Sequence, residues 1–107
     1  MFTIQRYQTP EGHDPIESWM ASLRDIRAEA KILTRIARLE SGNFGDWKHL
    51  RKGVCELRID YGPGYRLYFS RIGEMIVLLL CGGGKRTQVA DIQKAVNFLS
   101  DYKKRHK

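Results

Sequence analysis

Residues Met75 to Cys81, MIVLLLC, are apolar without a break, and three glycines follow at Gly82, Gly83 and Gly84. A run this short and this apolar reads as a strand buried on both faces, inside a sheet or close to its middle. The chain before it supplies neighbours. Val54 to Tyr61 is rich in β-branched and aromatic residues and reads as a first strand. Gly62-Pro63-Gly64 ends it in a turn, Tyr65 to Arg71 reads as a second strand, and Gly73-Glu74 turns into the apolar run. The expectation is a three-strand meander.

Alternation along the first two strands assigns their faces. Cys55, Leu57 and Ile59 share one face with Leu67 and Phe69 of the next strand, and these must point to the core. Glu56, Arg58, Arg66 and Tyr68 then stand together on the opposite surface. Two arginines, a tyrosine and a carboxylate on one rigid face can handle a phosphate. A solvated face with cross-strand ion pairs accounts for the same residues. On either reading Arg66 is a surface residue, and its truncation is expected to cost no more than about 0.5 kcal/mol.

The remaining chain has to cover the core face. Phe2 to Gln8 reads as a further strand. Asp14-Pro15-Ile16-Glu17 is a helix start, with Asp14 as cap and Pro15 at the first helical position. Ile16, Trp19, Met20 and Leu23 form one apolar stripe. The pattern shifts around Leu23 to Ile26, and a second helix is expected from there to about Ser41, with Gly42 as its stop. Ile26, Ala30, Leu33 and Ala37 make an apolar row, which Ile32, Ile36 and Leu39 widen. Arg24, Arg27, Lys31, Arg35 and Arg38 recur at spacings of three or four. That stripe is either a solvated helix face, a rail for phosphates or a dock for an acidic partner. Asn43 to Gly53 reads as a loop pinned by Phe44, Trp47 and Leu50, with Lys48, His49, Arg51 and Lys52 crowding positive charge beside the sheet. After the glycines, which lack the spacing of a phosphate loop, Thr87 can cap a last helix. Val89, Ile92, Ala95, Val96 and Leu99 are expected to face inward, and Lys103 to Lys107 to fray.

At 107 residues the chain is one domain, able to bury a core unaided. Nineteen Lys and Arg against 12 Asp and Glu give a net charge of +7, which suits nucleic acid, an acidic protein or an anionic surface. Cys55 and Cys81 fall on strands flanking a third, roughly 9 to 10 Å apart and beyond disulfide reach, so buried thiols in a reducing compartment are expected. His13, His49 and His106 are scattered, and no metal or cofactor site is expected. No apolar run approaches a membrane span, and a cytoplasmic protein is expected.

VCELRIDYGPGYRLYF, followed by LLLCGGGKRTQVADIQKAVNFL, resembles the toxins of bacterial toxin–antitoxin modules. The likeness is to the RelE/ParE superfamily, in its HigB-like, phage-derived "addiction module killer protein" branch, and includes the DPIESW helix and the WKHLRKG loop. The resemblance implies an α+β fold: two N-terminal helices on a twisted, mainly antiparallel sheet, with a C-terminal helix. It also implies a metal-independent endoribonuclease that cuts mRNA on the ribosome, and an antitoxin partner, often a helix-turn-helix DNA-binding protein. Arg66 matches the arginine of the family's GYR motif, Arg58 the basic residue after the glutamate of ELR, and Lys85 and Arg86 the basic pair after the last strand. Arg66 is then expected to stabilise charge on the phosphorane, with Arg58 and Lys85 positioning phosphates. Thr87 to Ile92 contains no tyrosine or histidine, so the base candidates are Lys48, His49 and Glu56. Tyr68 is expected to stack on a base, and Arg51, Lys52, Arg86, Lys31, Arg35 and Arg38 to bind RNA. Two other functions fit the same pattern: a ParE-like poison of DNA gyrase, and a non-catalytic RNA-binding or adaptor domain.

Overall fold

A computed structural model describes residues 1–106. The order of elements is β1 (Thr3–Arg6), α1 (Pro15–Ser22), α2 (Ile26–Glu40), β2 (Trp47–Arg51), β3 (Val54–Ile59), β4 (Tyr65–Ile72), β5 (Ile76–Gly83) and α3 (Gln88–Arg105). The strands form one mixed sheet in the order β1-β5-β4-β3-β2, antiparallel except where β1 runs parallel to β5. The apolar run is thus an interior strand, as its composition requires. Leu57 faces Leu67 across the β3–β4 pair and Cys55 faces Phe69, the alternation expected.

Local chemistry sets the helix ends. The Asp14 carboxylate accepts from the backbone N–H of Glu17 at 3.0 Å, with Pro15 opening α1. The Asp25 carboxylate accepts from the N–H groups of Arg27 and Ala28 and opens α2. Gly42, at φ +89°, ends it. α1 and α2 lie on one face of the sheet. There Ile16, Ile32 and Leu39 pack on Leu57, Leu67, Phe69, Val77 and Leu79, with Trp19, Met20 and Leu23 at the margin. Among the described residues no helix is long and apolar enough to cross a membrane.

The opposite face is not open. α3 lies across it, burying Ala95 and Leu99 against Val54, Tyr68, Leu78 and Leu80. Glu56 and Tyr68, expected on a solvated surface, are fully buried. Val89, expected inside, is 84% exposed. The basic end of α3 is not frayed: the helix runs to Arg105, which ion-pairs with Asp101 at 2.8 Å. Lys107 lies outside the described residues.

Two further expectations change. Trp47–Arg51 is an edge strand on β3 and no loop. Trp47 packs its ring against Phe44 and Phe69, while exposed Lys48 and Arg51 blunt the edge. On α2 the buried stripe is Ala28, Ile32 and Leu39. The row Ile26, Ala30, Leu33, Ala37 points outward, with Ile26 84% and Leu33 52% exposed. Both rows have helical spacing, and the sheet takes the one that brings Ile32, Ile36 and Leu39 together. Gly82 and Gly83 are small for packing reasons. A Cβ on Gly82 would run into the Trp19 ring, and one on Gly83 into the Asp91 carboxylate. Cys55 and Cys81 are free, and each sits in the core on a different side of the sheet. Burial pushes the Cys81 thiol up to about 12 and raises that of Cys55.

A candidate phosphate-binding cleft at the end of the sheet

Arg58 and Arg66 stand directly opposite each other on β3 and β4, so their side chains share a face, as the alternation requires. Arg66 in turn faces Gly83, two residues before Lys85. Arg58, Arg66 and Lys85 line one cleft of about 310 Å³, with Asp46, Asp60 and Tyr65 on its other sides. Three elements that the sequence separates by up to 27 residues therefore deliver three cations to one place.

Like charges opposite each other on a sheet repel. Each arginine has its own carboxylate. The Arg58 guanidinium donates to Asp46 Oδ1 at 3.1 Å, with both side chains about half exposed. Arg66 Nε lies 3.6 Å from Glu56 Oε2, and that pair is inside the protein: 12% of the Arg66 side chain and 1% of the Glu56 side chain reach solvent. A buried carboxylate needs such compensation. Gln88, in the first turn of α3, adds to it by donating from Nε2 to Glu56 Oε2 at 2.8 Å. Glu56 is therefore a support beneath Arg66, enclosed by α3, and has no access to a substrate hydroxyl. The Tyr68 phenol is also enclosed. Burial pushes its pKa up, with the charges of Glu56 and Asp91 adding to the shift. It cannot stack on a base.

The other expected site residues divide by place. Lys48 lies opposite Glu56 on β2, on the same side of the sheet as the arginines but outside the cleft lining. His49 lies opposite Cys55, so it projects from the other side of the sheet and cannot reach the cleft. Arg51 pairs with Val54 at the far end of β3 from Arg58, about 13 Å away along the strand. Its guanidinium donates to Gln93 of α3. Lys52, in the β2–β3 turn, borders a separate hollow with Lys103 and Lys104. Arg86 is exposed between β5 and α3, next to Lys85.

The basic stripe of α2 is broken. Arg24 precedes the cap and lies outside the helix. Lys31 sits over the Tyr61 ring, 5.2 Å from its centroid. Arg35 turns inward and donates to the backbone carbonyls of Arg58 (2.6 Å), Phe44 (3.1 Å) and Asp46 (3.4 Å). Burial lowers its pKa. Arg35 is thus a clamp that fixes the wall of the cleft. It is not a free contact for RNA. Gly45 has a left-handed φ of +64°, which a side chain would strain, and it packs against that guanidinium. Arg38 remains exposed.

Sequence reasoning missed Asp46, Gln88 and the structural role of Arg35. Asp46 and Arg35 had no local signal, since their contacts span 9 to 23 residues and join separate elements. Gln88 had a partial one: it follows the basic pair at the start of α3 and so has to lie near Lys85. Among the described residues no three His, Cys, Asp or Glu side chains converge as ligands for a metal ion.

The class these features define is an α+β domain, a five-stranded mixed sheet between helices, with paired arginines and a lysine in a cleft at the sheet's end. No protein-family model matches the chain. It is 52% identical over 79 residues to an uncharacterized protein of Haemophilus influenzae, a match covering 74% of this chain and 80% of that one. The chain belongs to the family of that protein.

Proposed function

We propose that the protein is the toxin of a type II toxin–antitoxin pair: a cytoplasmic, HigB-like endoribonuclease of the RelE/ParE superfamily that cuts mRNA on the ribosome. The observation that carries this reading is the meeting of Arg58, Arg66 and Lys85 in one cleft. These are the positions at which the resemblance places phosphate-handling groups.

In the proposed reaction the ribose 2′-OH attacks the adjacent phosphate, leaving a 2′,3′-cyclic phosphate and a free 5′-OH. The phosphorane carries more negative charge than the phosphodiester, and guanidinium groups fixed in advance stabilise that charge without reorganising. Arg66 is held for this by Glu56, which Gln88 braces from α3, and the Arg58 backbone is held by the Arg35 clamp. Lys85 follows the last strand on a short connection to α3 and reaches the same cleft. If the ribosome aligns the message, the protein needs to supply only charge and proton transfer.

A partner has a surface to meet. The outward row of Ile26, Ala30, Leu33 and Ala37 on α2 is apolar and flanked by Arg27, Lys31 and Arg38, which suits an acidic, amphipathic segment such as an antitoxin would present. The same row favours the gyrase-poison reading, since an inhibitor of that kind works by binding protein. Inducing the protein in cells and mapping transcript 5′ ends separates the readings. The ribonuclease reading expects in-frame cuts within translated messages. DNA damage with intact messages supports the gyrase reading, and ribosome association without cuts supports an adaptor.

A further inference from the structure

We infer that Asp46 is the proton acceptor of the cleft, the group that takes the 2′-OH proton in the reaction proposed above, on which this inference rests. Position removes two of the other candidates: His49 projects from the other side of the sheet, and Glu56 is sealed beneath Arg66. Lys48 is on the arginines' side but does not line the cleft, whereas Asp46 does. Asp46 lines the cleft, and 54% of its side chain is exposed.

Its placement is built, because two contacts hold the backbone around it. The Asp46 carbonyl accepts from the backbone N–H of Arg58 at 2.9 Å, and the Arg35 guanidinium spans the carbonyls of Phe44, Asp46 and Arg58. The carboxylate then lies 3.1 Å from the Arg58 guanidinium. A guanidinium has several donors in a planar fork, and a phosphate bound to Arg58 takes some of them. Any such phosphate therefore sits beside the Asp46 carboxylate, which brings that carboxylate within reach of a 2′-hydroxyl adjoining the phosphate. Asp60 lines the same cleft, but among the described residues no hydrogen bond or ion pair holds its side chain.

In the step, the 2′-OH proton passes to an Asp46 carboxylate oxygen as the 2′-oxygen bonds to phosphorus. The bond from phosphorus to the 5′-oxygen breaks, and that oxygen takes a proton from water in the open cleft. Asp46 then returns its proton to solvent, so the net change is one proton moved from the 2′-oxygen to the 5′-oxygen.

This role makes two effects of Asp46→Asn run in opposite directions. Cleavage loses its base, and general-base catalysis is worth roughly 100- to 10,000-fold. Phosphate binding loses a competitor for Arg58 and a nearby negative charge, so affinity is expected to rise. The experiment uses purified protein and ribosomes programmed with a short message. Single-turnover cleavage is measured across pH, and binding is measured with the same message carrying a 2′-deoxy nucleotide at the cut. For the parent, the rate should climb with pH on the acid side. For Asp46→Asn, the rate should drop by that factor, the climb should vanish, and the deoxy message should bind at least as tightly. Asp46→Glu should keep a climbing profile. A thermal melt of each variant confirms an intact fold. An unchanged rate for Asp46→Asn, or a rate and an affinity that fall together, overturns the inference. The second outcome would leave Asp46 as no more than a holder of Arg58. Loss of the pH climb in Asp60→Asn instead would move the role to Asp60. If the parent cuts no message on the ribosome, the ribonuclease reading itself fails.

Discussion

Truncating Arg66 should unfold the protein more readily than a surface position allows. In Arg66→Ala the Glu56 carboxylate, fully buried, keeps its bond from Gln88 but loses its cation. Removing one partner of a buried pair costs about 3–5 kcal/mol, because the remaining charge stays without compensation. The Nε–Oε2 separation of 3.6 Å is long and Gln88 stays in place, so the low end applies, about 3 kcal/mol. At roughly 4 °C per kcal/mol for a domain of this size, the melting temperature should fall by about 12 °C. Urea unfolding of Arg66→Ala, Glu56→Gln and the double variant forms a cycle. The double variant should be more stable than Arg66→Ala, because a neutral amide at position 56 accepts from Gln88 without a charge to compensate. A cost for Arg66→Ala within about 0.5 kcal/mol, the range of a surface change, would refute the reasoning. So would a double variant no more stable than the single. The result bears on function: loss of toxicity in Arg66→Ala is informative only beside its melt, and Arg66→Lys, which keeps a cation over Glu56, is the cleaner variant. It should recover only part of the activity, because an ammonium lacks the planar fork.

Arg35→Ala should cost about 2–3 kcal/mol by urea unfolding, since it strips a donor from the carbonyls of Phe44, Asp46 and Arg58. It should also weaken phosphate binding in the cleft without touching the ligand. The Tyr7 phenol donates to Asp101 at 2.6 Å, tying the end of β1 to α3. Burial, with Asp101 beside it, pushes that phenol up to about 12 from 10.0. A folded pKa above the unfolded one means that the stabilisation is complete below pH 10.0 and is lost as pH rises toward about 12. Tyr7→Phe should flatten that alkaline limb in unfolding measurements. The Tyr7 bond also lowers the pKa of Asp101, so the pin should weaken again as the pH falls through the carboxylate range. Replacing Lys31 and Arg38 by Ala should reduce the salt dependence of ribosome association, because fewer counterions are released. Association unchanged across a salt series would make both residues bystanders.

The elements of the fold were legible because their signals are local. An apolar run bounded by turns marked β5, alternation assigned the faces of β3 and β4, and Asp14-Pro15 opened α1. Putting Arg58 and Arg66 on one face needed no more than the period of a strand and the turn between them. β2 was missed because its edge position tolerates Lys48, His49 and Arg51, and because Trp47 and Leu50, three residues apart, pack on opposite sides of the sheet and give no period-2 alternation.

The sequence by itself thus determined the strands of the meander, the starts of α1 and α3 and the pairing of the two arginines, since each follows from residues a few positions apart. Tertiary structure alone decided the environment of those residues. An apolar row on α2 and a polar face on the sheet each state a preference, but burial depends on which distant element arrives. α3 arrived over the polar face, turning Glu56 and Tyr68 from surface groups into enclosed ones and making Glu56 the support of Arg66. The sheet took Ile32 and Leu39 and left Ile26 and Leu33 outside. Arg35, one member of a basic stripe in the sequence, became the clamp of the cleft because backbone carbonyls from two other segments came within its reach.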